Sequence, residues 1–115
     1  MSLPRRGEVW LVDLGAPRGH EQAGSRPAIV LQTDDLRHLS TLVIVPLSTK
    51  PNLASTATNV LVLRGEGGLV EDSVALCHQI RVLDKRRLLG KIGELAAERM
   101  SEIEASVAFL LQLPT

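Results

Sequence analysis

The sequence is poor in cysteine and in aromatic residues. Cys77 is the only cysteine among 115 residues, and Trp10 and Phe109 are the only aromatic residues apart from the histidines. A single cysteine excludes an internal disulfide and a cysteine-only metal site, and it fits a reducing compartment such as the cytoplasm. Two aromatic rings cannot form a platform on which several bases stack. We therefore expect an aliphatic core.

The sequence also lacks an excess of charge of either sign, with 13 basic and 13 acidic side chains. Any binding of nucleic acid must therefore rest on local basic patches. No apolar run is long enough to span a membrane, and the N-terminal residues lack the apolar region of a signal peptide. The hydrophobic fraction of 44% argues against disorder, and the length suits one domain over residues 1–115.

Five short apolar runs rich in β-branched residues predict strands at residues 8–14, 28–32, 41–47, 59–64 and 73–83. Most are apolar at consecutive positions, so we expect them to be covered on both faces or to curl into a barrel. Pro46 cannot donate a ladder hydrogen bond, which predicts a strand end, a sheet edge or a bulge there. Residues 34–39 predict one helical turn, capped by Asp34 or Asp35.

The apolar period changes near the C-terminus. Apolar residues then recur every three or four positions, which predicts a helix over residues 96–112 that packs on the sheet. Its predicted apolar face consists of Met100, Ile103, Val107, Leu110 and Leu111, and its solvent face of Glu98, Arg99 and Glu102. The sequence thus predicts a mainly β protein with one C-terminal helix.

A polar loop, Gly15 to Ser25, joins the first two predicted strands and contains most of the segment RGHEQAGSRP. Hairpin loops are usually two to five residues long, and longer polar loops often carry function. Arg26 ends this loop, and Pro27 favours an extended backbone for it. Its guanidinium is suited to a bidentate grip on phosphate. The alternative is that Arg26 pairs with Glu21 and braces the loop.

Other polar residues give weaker signals. The turn LSTKPN at residues 47–52 supplies hydroxyl groups and a lysine, but these residue types are ordinary in turns. His20 and His78 are candidates for proton transfer, although a lone histidine is more often structural, and His38 is expected on the surface. No metal-ligand spacing, P-loop or GxSxG motif occurs, so we expect no metal and no cofactor. The basic run at residues 81–91 is either a solvated face or a patch for a polyanion.

Five sequence strings within residues 5 to 112 belong together: RGEVWLVDL, GHEQAGSRPAIVLQTD, VIVPLST, DSVALCHQIRVLDKRRL and IGEL. Together, these strings resemble the MazF/PemK family of bacterial toxin endoribonucleases, and the resemblance covers nearly the whole chain. It implies an SH3-like β-barrel of the MazF/PemK/CcdB type with a C-terminal helix. It also implies a cytoplasmic homodimer that cleaves single-stranded RNA, usually messenger RNA, without a metal, leaving a 2′,3′-cyclic phosphate and a 5′-hydroxyl. A cognate antitoxin would neutralise it by laying its C-terminal tail in the RNA groove.

The resemblance also assigns residues. The family's catalytic arginine, threonine and loop glutamate fall on Arg26, Thr49 and Glu21, and His20 is a second candidate for the general base. One branch of the family uses a loop histidine with an arginine and an aspartate, but those last two positions are Leu76 and His78 here. RNA contacts are expected from Arg18, Gln22, Ser48, Lys50, Gln79 and Arg81.

Two other classes of function remain open from the sequence. A CcdB-like toxin that inhibits gyrase shares the implied fold but does not need Arg26 and Thr49. A non-catalytic SH3-like binding module would line its groove with aromatic residues, of which this chain has few.

Overall fold

The computed structural model describes residues 3–50 and 57–114, and within these ranges it contains seven strands and one α-helix linked by loops and 3₁₀ turns. The elements are β1 (Glu8–Asp13), β2 (Ser25–Val30), β3 (Thr41–Ser48), β4 (Asn59–Val62), β5 (Ser73–Leu76), β6 (Arg81–Asp84), β7 (Leu88–Glu94) and α1 (Ala97–Leu111). Among the described residues, no helix is both long and apolar enough to cross a membrane. The predicted mainly β fold with a C-terminal helix is confirmed.

The strands form an antiparallel sheet in the order β4-β5-β3-β2-β1-β7, with β6 also paired to β3. Along one side, β3 pairs with β2; along the other, it pairs first with β6 at residues 41–44 and then with β5 at residues 47–48. Pro46 lies at the junction of these two ladders, opposite Ala28 of β2. Its missing N–H is tolerated because both ladders stop short of it. The proline therefore marks a change of partner within a buried strand.

Both faces of the sheet are covered, as the consecutive apolar residues predict. Because side chains alternate along a strand, Val9, Ile29 and Val45 face one core and Trp10, Ala28 and Ile44 face the other. The helix α1 covers the first core with Met100, Ile103 and Val107. The second core also contains Val12, Leu14, Val30, Leu42 and Leu83.

The helix agrees with its predicted bounds to within one residue at each end. Its predicted faces are wrong at two residues. Leu111 is half-exposed, since the helix ends there, at Gln112 in the left-handed conformation. Arg99 is only 21% exposed because its guanidinium pairs with Glu66, with Nε–Oε1 and Nη2–Oε2 distances of 2.8 and 2.9 Å. This pair lowers the pKa of the Glu66 carboxyl and ties the 3₁₀ turn at Glu66–Gly68 to the helix.

Several other strand predictions need correction. Residues 73–83 form two strands, since a 3₁₀ turn at Cys77–Gln79 separates β5 from β6. The strand β7 was not predicted, because glycines at 90 and 93 and Lys91 interrupt its apolar pattern. The second strand begins at Ser25 and includes Arg26, and β4 ends at Val62. The turn after β2 is capped by Thr33, whose hydroxyl accepts from the Asp35 amide, and not by an aspartate.

Two glycines allow the turn at Glu66–Gly68 to lie directly on β7. Gly68 has φ +77°, and a side chain there would meet the Ile92 carbonyl oxygen. A side chain at Gly93 would meet the Gly67 carbonyl. The close backbone approach fixes Leu69 beside the end of β3 and thereby shapes the cavity next to Thr49.

Glu8 is a buried carboxylate at the start of β1, only 6% exposed. Its Oε1 accepts hydrogen bonds from the Arg5 amide at 2.8 Å and from Trp10 Nε1 at 2.9 Å. Its Oε2 lies 3.0 Å from Lys91 Nζ on β7. Burial by itself would raise the pKa of Glu8, but the hydrogen bonds from Trp10, Arg5 and Lys91 outweigh it and lower the pKa below its ordinary value. The network ties the first strand to β7.

Candidate functional site

The loop between β1 and β2, residues 14–24, is held in place by hydrogen bonds. At its base, the Leu14 amide donates to the Gly24 carbonyl and the Gly24 amide to the Gly15 carbonyl, both at 2.9 Å. Near its tip, Gln79 Oε1 accepts from the Gln22 amide at 2.7 Å, and Gln79 Nε2 donates to the His20 carbonyl at 3.3 Å. Both polar atoms of the Gln79 amide thus bind this loop and position it, and the contact of Gln79 with RNA stays a prediction.

Arg26 lies inside β2, opposite Val12 of β1. It is half-buried, and its Nε donates to the Ala23 carbonyl at 2.7 Å. Among the described residues no ion pair joins Arg26 to Glu21, so the bracing role considered for that pair is wrong. The bond to Ala23 fixes the Nε edge of the guanidinium. The two terminal nitrogens are therefore available to grip an anion.

A polar cavity of about 310 Å³ opens between the loop and the β6–β7 connection, and we call it the arginine cavity. Three arginines and one glutamate line it: Arg18, Arg81, Arg87 and Glu21. Gln22 also lines it, and the buried Gln22 Oε1 has no hydrogen-bond partner among the described residues. The structure therefore brings together four of the predicted site residues, Arg18, Glu21, Gln22 and Arg81. The positive lining suits a polyanion.

Thr49 follows β3 directly and is exposed. With Pro27, Leu69 and Ile92 it lines a mostly apolar cavity of about 390 Å³, distinct from the arginine cavity. Lys50, the next residue, is also exposed. Ser48 is only 1% exposed, and its Oγ accepts from the Lys50 amide at 3.3 Å, which does not favour its predicted contact with RNA. Pro51 and Asn52, the last residues of the predicted turn, lie outside the described residues.

The histidines occupy different places. His20 is exposed at the tip of the loop, where its carbonyl is bound by Gln79. His78 is exposed on another turn, with Nδ1 3.1 Å from Asn59 Oδ1. Leu76, at the position where one branch of the resembling family has an arginine, is fully buried. Within residues 3–50 and 57–114, no three histidine, cysteine or acidic side chains cluster as metal ligands. The buried Cys77 has a thiol pKa raised by burial, which makes the thiol inert.

Arg87 is the site residue that we did not predict as a contact for RNA. It follows β6 in the 3₁₀ turn at Lys85–Arg87 and projects into the arginine cavity beside Gly15. The dense basic run at residues 81–91 was the available signal. That run does not reveal which of its side chains point toward the loop, because the turn reverses the chain there.

Comparison with known proteins identifies the family. A family model described as a PemK-like, MazF-like toxin of type II toxin-antitoxin system matches residues 5–111. The Endoribonuclease MazF of Staphylococcus saprophyticus is 37% identical over 114 residues, which cover 98% of this chain and 95% of that protein. The chain belongs to the PemK/MazF-like toxin family. The resemblance seen in the sequence is thereby confirmed.

Solved structures agree with this assignment. A crystal structure of MazF from Deinococcus radiodurans superimposes with a TM-score of 0.85 at 23% identity, covering 98% of this chain and all of that one. An endoribonuclease in complex with its cognate antitoxin, from a mycobacterial species, gives a TM-score of 0.80 at 26% identity over 97% of this chain and 98% of that one. The barrel-like fold of the family is therefore the fold of this chain.

Proposed function

We propose that this chain is the toxin of a type II toxin–antitoxin system and an endoribonuclease that cleaves single-stranded RNA, chiefly messenger RNA. The observation that carries the proposal is the full-length match to the endoribonuclease family together with the placement of Arg26. Its guanidinium is fixed on one edge by the Ala23 carbonyl and leaves its terminal nitrogens for an anion. The loop with Glu21 and His20 leads directly into the strand that carries it.

RNA supplies its own nucleophile, the 2′-hydroxyl beside the scissile phosphate, so the protein must align it and stabilise charge on phosphorus. We assign the charge stabilisation to Arg26 and a hydrogen bond to a phosphate oxygen to Thr49. Since Ala28 lies opposite Pro46 in the β2–β3 ladder, Arg26 and Thr49 come at the same end of these two neighbouring strands. Attack by the 2′-oxygen expels the 5′-oxygen and leaves a 2′,3′-cyclic phosphate and a 5′-hydroxyl. No step requires a metal ion.

Two protons must move in this reaction. Glu21 or His20 takes the proton of the 2′-hydroxyl, and a general base of this kind contributes about 10²–10⁴-fold to the rate. The two candidates differ in position, because Glu21 lines the arginine cavity whereas the His20 carbonyl anchors the loop tip. We assign delivery of the proton to the leaving 5′-oxygen to Arg26. The test compares the pH–rate profiles of Glu21→Gln and His20→Asn. The variant that lacks the general base should lose the acidic limb of its profile, and the other should keep it.

Replacing Arg26 or Thr49 by alanine tests the assignment. Neither side chain belongs to the two cores, so both variants should keep the wild-type circular dichroism spectrum. Losing one such donor costs about 3–4 kcal/mol of transition-state stabilisation, or 10²–10³-fold in kcat. Arg26→Lys should also be slow, because an ammonium group cannot make the bidentate contact. Cleavage by Arg26→Ala at the wild-type rate would contradict the assignment.

Neutralisation by an antitoxin is part of this proposal. A tail rich in Asp and Glu would find Arg18, Arg81 and Arg87 in the arginine cavity, and its apolar residues would find the cavity beside Thr49. The tail and RNA should then exclude each other. Titrating a noncleavable RNA into the toxin–antitoxin complex should lower the apparent affinity of the tail. An unchanged affinity at full occupancy by RNA would place the two ligands on separate surfaces.

We also propose a cytoplasmic homodimer. The end of α1 leaves Phe109 71% exposed, Leu111 51% and Leu113 53%, although the chain has so few aromatic residues. A second copy of the chain is the partner that would cover this face in a symmetric pair. Light scattering should therefore give twice the 12.5 kDa mass of the chain, and Phe109→Asp should reduce it. A single-chain mass for the wild type at micromolar concentration would contradict the dimer.

The CcdB-like alternative is not favoured. The curated relative and the mycobacterial structure named above are both endoribonucleases. A gyrase inhibitor also has no use for an Arg26 guanidinium that the Ala23 carbonyl holds at the start of β2. Incubating the protein with gyrase and with RNA in parallel separates the two functions, because the proposal predicts an effect on RNA alone.

A further inference from the structure

The arginine cavity contains more positive charge than the proposed cleavage chemistry uses. Arg18 comes from the loop, Arg81 from the start of β6, and Arg87 from the turn before β7. The β1–β2 loop and residues 81–87 thus place three arginines around one cavity. Glu21 is its single carboxylate. Thr49 lines other cavities, so this cluster lies apart from the proposed phosphate contact of that residue.

These arginines are poorly neutralised by the protein itself. In the part of the chain that the structure describes, the side chains of Arg18 and Arg81 make no hydrogen bond or ion pair. Arg87 reaches the Asp13 carbonyl at 3.4 Å and Asp13 Oδ2 at 4.0 Å, both through Nη1. These are long contacts for a guanidinium, which normally makes charge-assisted hydrogen bonds of about 2.7–2.9 Å.

The neighbouring Arg86 shows the contrast. Its Nε and Nη2 both lie 3.1 Å from Asp84, in a bidentate pair on the outer surface of the turn. Arg87 makes no such bidentate pair; its carboxylate contact is the 4.0 Å approach to Asp13, and with Asp13, Asp84 and Arg86 it also lines a second cavity. Among the described residues, Nη2 and Nε of Arg87 have no hydrogen-bond partner.

The backbone around Arg87 is arranged for this placement. Gly15 has φ +80°, and a β-carbon there would lie 3.3 Å from Arg87 Nη1, so the glycine lets the guanidinium lie against the loop. The carbonyl of Gly15 also accepts the hydrogen bond from the Gly24 amide that closes the base of the loop.

We infer that Arg87, with Arg18 and Arg81, binds a phosphodiester of the RNA strand other than the scissile one. This inference rests on the proposed function, since it names where a second phosphate of the same substrate lies. A phosphodiester carries one negative charge on two free oxygens, which matches the fork of a guanidinium. Neither Arg26 nor Thr49, the residues assigned to the scissile phosphate, lines the arginine cavity, so Arg87 contributes to substrate binding and leaves the chemical step unchanged.

The test compares Arg87→Gln with Arg86→Gln, which removes the same charge one residue away. The cut position is first mapped with the wild type on a single-stranded transcript, and a labelled oligonucleotide is made with 2′-deoxyribose at that position. Its Kd is measured over a series of KCl concentrations, and kcat and KM are measured with the matching all-RNA substrate. Circular dichroism checks the fold of each variant.

Arg87→Gln should raise KM and Kd about tenfold, the effect of losing one hydrogen bond to a charged group, with kcat unchanged. The slope of log Kd against log salt should fall by about 0.7, the value for one phosphate contact on a single strand. Arg86→Gln should match the wild type in all three. Equal behaviour of the two variants, a fall in kcat alone, or weaker binding of an acidic peptide without weaker binding of RNA would overturn the inference. If the wild type itself does not cleave RNA, the proposed function fails instead.

Discussion

Replacing Glu8 should destabilise the fold by an amount that depends on which of its contacts the new residue keeps. The Arg5 main-chain amide and the Trp10 indole N–H both donate to Glu8 Oε1, whereas Lys91 Nζ binds Oε2. Glu8→Ala removes both acceptors and leaves Trp10 Nε1 without a partner in a residue that is 2% exposed. An unsatisfied buried donor costs about 1–3 kcal/mol, and the lost packing adds to it, so we expect a loss of about 2–3 kcal/mol.

Glu8→Gln separates these terms. The glutamine carbonyl can still accept from Arg5 and Trp10, so only the contact with Lys91 is lost, and the destabilisation should be clearly smaller. Glu94→Ala is the matched control, because Glu94 binds the same Lys91 Nζ at 3.1 Å but is exposed. It should have almost no effect, as is usual for surface ion pairs.

The assay is urea unfolding at a fixed protein concentration. The slope of the transition is compared between the variants as a check on two-state behaviour. A loss of 2–3 kcal/mol corresponds to roughly 8–12 °C in Tm for a chain of this length. Because the pKa of Glu8 is lowered in the folded state, its stabilisation is present above the unfolded pKa of about 4.3 and is lost as the pH falls through the folded value. The advantage of the wild type over Glu8→Gln should shrink accordingly on acidification. Equal stability of Glu8→Ala and Glu94→Ala would refute this reasoning.

Two further predictions concern the turn beside β7 and the loop clamp. Gly68→Ala should destabilise by more than about 3 kcal/mol in urea unfolding, since it combines a positive φ with a clash at Ile92, whereas Gly65→Ala, with φ +92° and open space, should cost about 1–2 kcal/mol; similar losses would contradict the close approach. Gln79→Ala should increase hydrogen exchange at the Gln22 amide and raise KM about tenfold. Unlike Arg26→Ala, it should leave kcat unchanged, and the control His78→Ala should change neither the exchange nor KM. Unchanged exchange in Gln79→Ala would show that Gln79 does not hold the loop.

Much of the fold could be predicted because its strands are apolar at consecutive positions. Runs such as residues 41–47 must be buried on both sides, and the two cores are the result. The strand β7 was not predicted, because glycine weakens its apolar pattern. Glycine is required at 93 because the backbone of β7 approaches Gly67 closely there. Likewise the break at Cys77–Gln79 falls within an uninterrupted apolar segment, since the reason for it is the change of partner along β3 at Pro46.

The candidate site was predictable where residue type and position in the sequence agree. Arg26 and the loop before it stand out because a charged, glycine-containing segment interrupts apolar strands. The roles of Ser48 and Gln79 could not be predicted, because burial and partner choice depend on the tertiary contacts of each side chain. Arg87 illustrates the same limit, since Arg86 and Arg87 are equivalent in sequence but face Asp84 and the arginine cavity, respectively.

We propose that the chain cleaves RNA by attack of the neighbouring 2′-hydroxyl, with Arg26 holding the scissile phosphate. The most direct measurement incubates the purified protein in EDTA with a single-stranded RNA and with the same RNA carrying one 2′-deoxyribose at the cut position. The all-RNA substrate should be cleaved to a 2′,3′-cyclic phosphate and a 5′-hydroxyl, and the deoxy substrate should stay intact at that position. Arg26→Ala should lower the rate 10²–10³-fold, as expected for losing about 3–4 kcal/mol. Cleavage of the deoxy substrate at that position, or undiminished cleavage by Arg26→Ala, would contradict this proposal.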